Sequence, residues 1–198
     1  MKARYLSVVL TAALLAAQAA EAQQSRHSTM RTLPASGGSI ALSGGVGVGW
    51  TRPACSYCRR TLDAGPVMYL EATSQVNPRF ALGGQANLWA RNSDVFVLMG
   101  TLGVVAHMYP NPGRPLFLKA GLGYLTYRAY DSDGDLVSNG PALQLGAGYR
   151  FQFSNGLAIT NFANLLTSRF GKLRSDEDVL VENMGVTSIQ LGIALSRF

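Results

Sequence analysis

The stretch SIQLGIALSRF, residues 188–198, sets Ile189, Leu191, Ile193 and Leu195 at every second place, with Gln190, Gly192, Ala194 and Ser196 between them. A period of two belongs to an extended strand with one apolar face and one small or polar face. Domains usually finish in a frayed polar tail. A chain that closes on this pattern, with Phe198 last, is expected to finish inside a strand that the fold requires.

Working outward, the 198 residues suit one domain. Lys2 and Arg4 precede an apolar run from Leu6 to Ala17, and Ala20–Ala22 reads as a small-x-small cleavage site. That order is expected of a secretory signal peptide over residues 1–22, too short to span a bilayer. Residues 23–36 are polar and patternless and are expected to form a flexible lead-in. Without Lys2, Arg4 and Glu21 the chain keeps 15 basic and 10 acidic residues, and no Lys/Arg run is longer than Arg59–Arg60. The excess is mild and gives no support to nucleic-acid binding. Charged residues make up only 14% of the sequence, against about 25% in soluble domains.

From residue 37 onward the alternation continues almost to the end. Ile40–Trp50, Val67–Val76, Phe80–Arg91, Val95–Met108, Leu116–Tyr130, Pro141–Phe153, Leu157–Leu166 and the terminal stretch each show it. In the fourth, Phe96, Leu98, Leu102, Val104 and Met108 form the apolar set, although Val95, Val97 and Met99 blur the choice. About eight strands of about ten residues match the length a tilted strand needs to cross a bilayer. The connections at Asn77–Pro78, Tyr109–Arg114 and Ser154–Gly156 are tight. Those around residues 51–65, 131–140 and 168–184 are long and polar, and only Asn92–Asp94 breaks the asymmetry expected of a membrane barrel.

A secreted lipocalin-like barrel is the rival. Its outer face would meet water and carry Lys, Glu and Asp. Here the second face carries Gly, Gln, Asn, Thr and Ala, with Glu71, Arg91, Lys119 and Arg150 as its few charges, each opposite in parity to the apolar set of its strand. Backbone groups in lipid must all be paired within the sheet, so the sheet must close. Closure places these charges in a lumen, where Glu71 can neutralise Lys119 or Arg150. Trp50, Phe80, Tyr109, Phe117, Tyr124, Tyr130, Phe153 and Phe198 fall near strand ends and are expected in interfacial girdles.

On this pattern, residues 37–198 resemble the small eight-stranded outer-membrane barrel proteins of bacteria, the OmpA/OmpX-like group. The resemblance implies an all-β, closed, antiparallel, up-and-down transmembrane barrel in the bacterial outer membrane, with membrane lipid and lipopolysaccharide as surroundings. It also implies a last strand read by the barrel-assembly machinery. Gln190, Gly192, Leu195 and Phe198 supply that signal, with one extra residue before the end that a bulge or frayed end is expected to absorb.

Other motifs point to modest chemistry. Cys55 and Cys58, in the first long connection of an exported chain, are expected to pair in a small disulfide ring. A redox C-x-x-C would want a helix N-terminus, and zinc would want about four ligands. Asp131, Asp133 and Asp135 do not fit the spacing of a calcium loop, since Gly134 comes fourth and Ala142 twelfth. His107 is a lone histidine at the end of the fourth strand, remote from the connections where a lipid A-modifying site would sit. No catalytic residue, cofactor or metal is therefore assigned. The reading is a monomeric, non-enzymatic surface barrel serving envelope structure or contact. The alternatives are a narrow channel for small solutes, a lipid A-modifying enzyme and the lipocalin-like binding barrel.

Overall fold

The structure is a computed structural model that describes residues 40–55, 61–93, 95–131, 134–153, 156–175 and 178–197. The expected signal peptide and lead-in, Cys58, Asp133 and Phe198 lie outside the described residues. Every alternating stretch becomes a strand: β1 (Ile40–Ala54), β2 (Asp63–Asn77), β3 (Phe80–Asn92), β4 (Phe96–Met108), β5 (Leu116–Asp131), β6 (Gly134–Gln152), β7 (Leu157–Ser175) and β8 (Asp178–Arg197). Each strand pairs antiparallel with the next, and β8 returns to β1, so the sheet is a closed eight-stranded barrel.

Closure satisfies the backbone and leaves the side chains to sort by parity. The apolar set of each strand points outward. Leu102, central in β4, is 70% exposed, and Leu70, Val104, Leu122 and Ile193 form the same belt. The lipocalin-like reading, with apolar side chains inside, is overturned by that orientation. Among the described residues no helix is long and apolar enough to cross a bilayer; the strands are what match one. Replacing Leu102 with Arg will cost about 2–4 kcal/mol in vesicles, because the charge lands near the middle of the hydrocarbon. On a water-facing surface the same change would be nearly neutral, so the urea midpoint in lipid separates the two.

The closing seam between β1 and β8 is in unbroken register from Leu42↔Arg197 to Ala54↔Gly185. The bulge expected near the end of β8 is absent up to Arg197. Ser43 meets Ser196 at 2.8 Å near one end of the seam, and the Thr51 hydroxyl donates to Ser188 at 2.9 Å nearer the other. Between them Gly47 faces Gly192, and any Cβ at either glycine would overlap the opposite backbone.

The tight connections stand as expected at the end of the barrel that holds the strand termini. Asn77 Oδ1 accepts from the backbone of Arg79 and Phe80 at 2.8 and 3.0 Å, an Asx turn before Pro78. Gly156 holds the β6–β7 turn with φ of 78°, a conformation that favours glycine. The opposite, far end departs from expectation. Most of residues 134–140 and 168–184, read as loop, is strand, so β6, β7 and β8 reach 19, 19 and 20 residues. Register shifts at Asn139/Ala142 and Ser168/Gly171 lie where the barrel passes into this taller wall. Outside lipid a strand no longer needs an apolar face, and the alternation that marks it in sequence fades.

Candidate functional site: a charge cluster in the lumen

Cross-strand register assembles the site. Glu71 on β2 lies opposite Gln85 on β3, and His107 on β4 lies opposite Lys119 on β5. All four point inward and are buried. His107 Nε2 lies 3.2 Å from the Glu71 carboxylate. Lys119 Nζ donates to Gln85 Oε1 at 3.0 Å and to Glu71 Oε2 at 3.5 Å. Gln85 Nε2 donates to Gln144 Oε1 at 2.9 Å, which carries the network to β6. A carboxylate facing an ammonium inside a barrel is a compensated pair that would be costly if split.

Aromatic rings cover the cluster. The Lys119 ammonium sits 4.7 Å above the Tyr69 ring, which stacks on Phe162 at 5.0 Å. His107 stacks on Phe117 at 4.5 Å. Arg150, placed by β6 at the terminus-bearing end, lies over the Phe117 and Tyr109 rings at 5.3 and 5.9 Å and donates to the Tyr109 hydroxyl at 3.0 Å. Lys119 thus has the Glu71 carboxylate, and ring faces supply further negative potential to both Lys119 and Arg150. Tyr109 and Phe117 are therefore lumenal and do not join the girdle expected of them. Phe117 falls between outward Leu116 and Leu118, so parity sends it inward. Gly148 makes room for its ring: a Cβ there would overlap Phe117. Gly148→Ala will cost about 1–3 kcal/mol, because the ring is held between His107 and Arg150 and cannot yield; equilibrium urea unfolding measures it.

Arg91 does not join this group. It pairs with Asp63 toward the far end and donates from Nε to Ser93 Oγ at 3.0 Å. It lies six positions from Gln85 along β3, roughly 20 Å at strand rise, and Trp89 stands between. Gln190 braces the lumen: Asn87 Nδ2 donates to Gln190 Oε1 at 2.6 Å, and the return bond is 3.3 Å. Gly192 faces Gly47, and Leu195 points outward. Cys55 packs beside an apolar cluster, and its expected partner Cys58 lies outside the described residues.

That apolar cluster was not foreseen, since the lumen was expected to be polar throughout. Val67, Trp89, Met99, Leu125, Leu166 and Met184, with neighbours, fill its far half. Trp89 is 1% exposed and donates from Nε1 to the Gly49 carbonyl at 2.9 Å. The blurred parity of Val97 and Met99 was the sequence signal: apolar residues on both faces mean that one face is an interior plug. His107 was likewise undervalued. Its parity, with β4 pairing to β5, places it beside Lys119. A void beside Gln85, Gln144 and Leu166 holds about 10 Å³, room for about one water.

Comparison with known proteins agrees with this architecture. No protein-family profile matches the chain, and no curated protein does. Among solved structures, Neisserial surface protein A is similar with a TM-score of 0.54 at 12% identity, over 79% of this chain and 97% of that one. Ail, the attachment invasion locus protein of Yersinia pestis, is similar with a TM-score of 0.52 at 14% identity, over 79% and 97%. The chain has the fold of the small eight-stranded outer-membrane barrels. As in such barrels, the apolar belt faces lipid.

Proposed function

We propose that this protein is a non-enzymatic barrel of the bacterial outer membrane whose work is envelope structure or contact through its far end. The observation that carries the reading is the filled lumen. A cross-linked charge cluster occupies one half and an apolar plug the other, so side chains take the space a solute would need. The taller wall of β6–β8 offers surface beyond the bilayer, where a contact role would reside. A lipid A-modifying activity finds little support, because His107, the histidine of the described strands, is 0% exposed and engaged with Glu71. Planar-bilayer recording of the refolded protein tests the reading. The expected trace is silent at physiological salt; a reproducible unitary conductance would replace this reading with the narrow channel.

In the same reading residues 1–22 direct export, and Gln190, Gly192, Leu195 and Phe198 are read during assembly. Deleting the C-terminal phenylalanine is expected to lower the yield of heat-modifiable barrel in the outer-membrane fraction.

A further inference from the structure

The lumenal amide side chains bond in two chains, and one amide belongs to neither. Lys119 donates to Gln85 Oε1, which fixes the Gln85 amide so that its Nε2 donates to Gln144 Oε1. Gln144 Nε2 is left as the end donor of that chain, buried and without a partner among the described residues. In the second chain Asn87 and Gln190 exchange bonds, and Gln190 also reaches Ser188. Asn164 stands on β7 between the two, paired across to Gln190 on β8 and to Gly146 on β6. It is 2% exposed, and neither its Oδ1 nor its Nδ2 has a partner among the described residues. Gly146 brings no side chain to it: the Asn164 oxygen overlaps the place that a Cβ there would take.

Buried polar atoms in folded proteins are almost always met, by the protein or by ordered water. We propose that ordered water joins the Gln144 and Asn164 amides and so brings β7 into the polar network of the lumen. The chemistry of the unmet atoms selects the ligand. A metal cation would answer only the Asn164 oxygen, and an anion only the two amide nitrogens. Water both accepts and donates, so it takes a hydrogen from Gln144 Nε2 and gives one to Asn164 Oδ1. The two residues suit a bridge. Gln144 pairs with Leu166 and Asn164 with Gly146, which makes them diagonal neighbours on one face of the sheet, within reach of each other for long side chains. Size agrees as well: the void beside Gln144 holds about 10 Å³, room for about one water and for no larger solute. The plug needs no such ligand, since the Trp89 indole is already bonded to the Gly49 carbonyl. The inference goes beyond the reading above and stands whether the barrel serves structure or contact.

Nuclear magnetic resonance of the full mature chain, refolded in detergent micelles, tests this through cross-relaxation between bound water and side-chain amides. Cross-peaks of long-lived water are expected at both the Asn164 and the Gln144 amides. In Asn164→Leu, which keeps the volume, the Gln144 cross-peak is expected to vanish; in Gln144→Met the Asn164 cross-peak is. Asn164→Leu is also expected to lose its folded gel band at a lower temperature than the native protein, because the water is left short of a partner. Absence of water at either amide in the native protein overturns the proposal, as does a cross-peak that survives loss of the other residue. An equal water signal at the Trp89 indole, the mark of general wetting, overturns it too. So does an unfolding temperature that fails to fall in Asn164→Leu, since removing a dry, unmet amide relieves a cost carried by the folded state. Should Asn164→Leu not fold, the native spectrum and Gln144→Met decide alone.

Discussion

Glu71→Gln is expected to destabilise the barrel by about 3–5 kcal/mol, the usual cost of removing one partner from a buried ion pair. The carboxylate is the one acidic group within reach of Lys119 and His107 among the described residues. Its loss leaves the Lys119 ammonium with the Gln85 carbonyl oxygen and the Tyr69 ring as its remaining partners. The measurement is the urea midpoint in lipid vesicles, followed by the unboiled gel band. Glu71→Gln combined with Lys119→Met is expected to recover most of the loss, because two neutral side chains of similar volume carry no uncompensated charge. An unchanged midpoint in the single variant would show that the lumen solvates Lys119 by other means. No recovery in the double variant would show that packing, not charge, is what Glu71 supplies.

Trp89→Ala is expected to cost about 3–5 kcal/mol, as large aromatic truncations in a packed interior do. It removes the largest side chain of the plug together with the bond to the Gly49 carbonyl. Its surroundings are strands locked to both neighbours, which cannot collapse into the gap as a loop would. The same protein placed in a planar bilayer gives a second readout. With Glu71, Lys119 and Gln85 still spanning the other half, the bilayer is expected to stay silent. Current through Trp89→Ala alone would mean that the plug, and not the charge cluster, is what keeps the lumen shut.

The barrel was legible in the sequence because lipid imposes a simple rule on a strand, one apolar face in every two residues, and the strands follow it, with Asn161 interrupting the apolar face of β7. The charges were legible for the same reason: Glu71, Lys119 and Arg150 could be placed inward by parity alone. Parity gives the face but not the height. Arg91 shares the inward face with Glu71 yet sits toward the far end, paired with Asp63. The plug was missed where both faces are apolar, as at Val97 and Met99, because alternation then carries no information. The long strands β6–β8 were missed where the outward face turns polar, as at Asn139, Lys172 and Arg174, while inward Leu173 and Met184 belong to the plug. Tyr109 and Phe117 were assigned by nearness to strand ends, a weaker signal than the parity of Phe117 within β5.

The seam between β1 and β8 bears on how the molecule comes to exist. The clasps Ser43–Ser196 and Thr51–Ser188 join residues 153 and 137 positions apart, so they depend on a pairing between the two ends of the domain, formed once the chain between them is ordered. Contacts of such long range are slow to form, because the loop entropy must be met before they return anything. Where Gly47 faces Gly192, midway between the clasps, no inward side chain has to be moved aside at that step. Two bare backbone edges can approach and pair in one motion. A partly folded barrel in lipid would expose both edges, so the last pairing is the event that converts an adhesive ribbon into an inert cylinder.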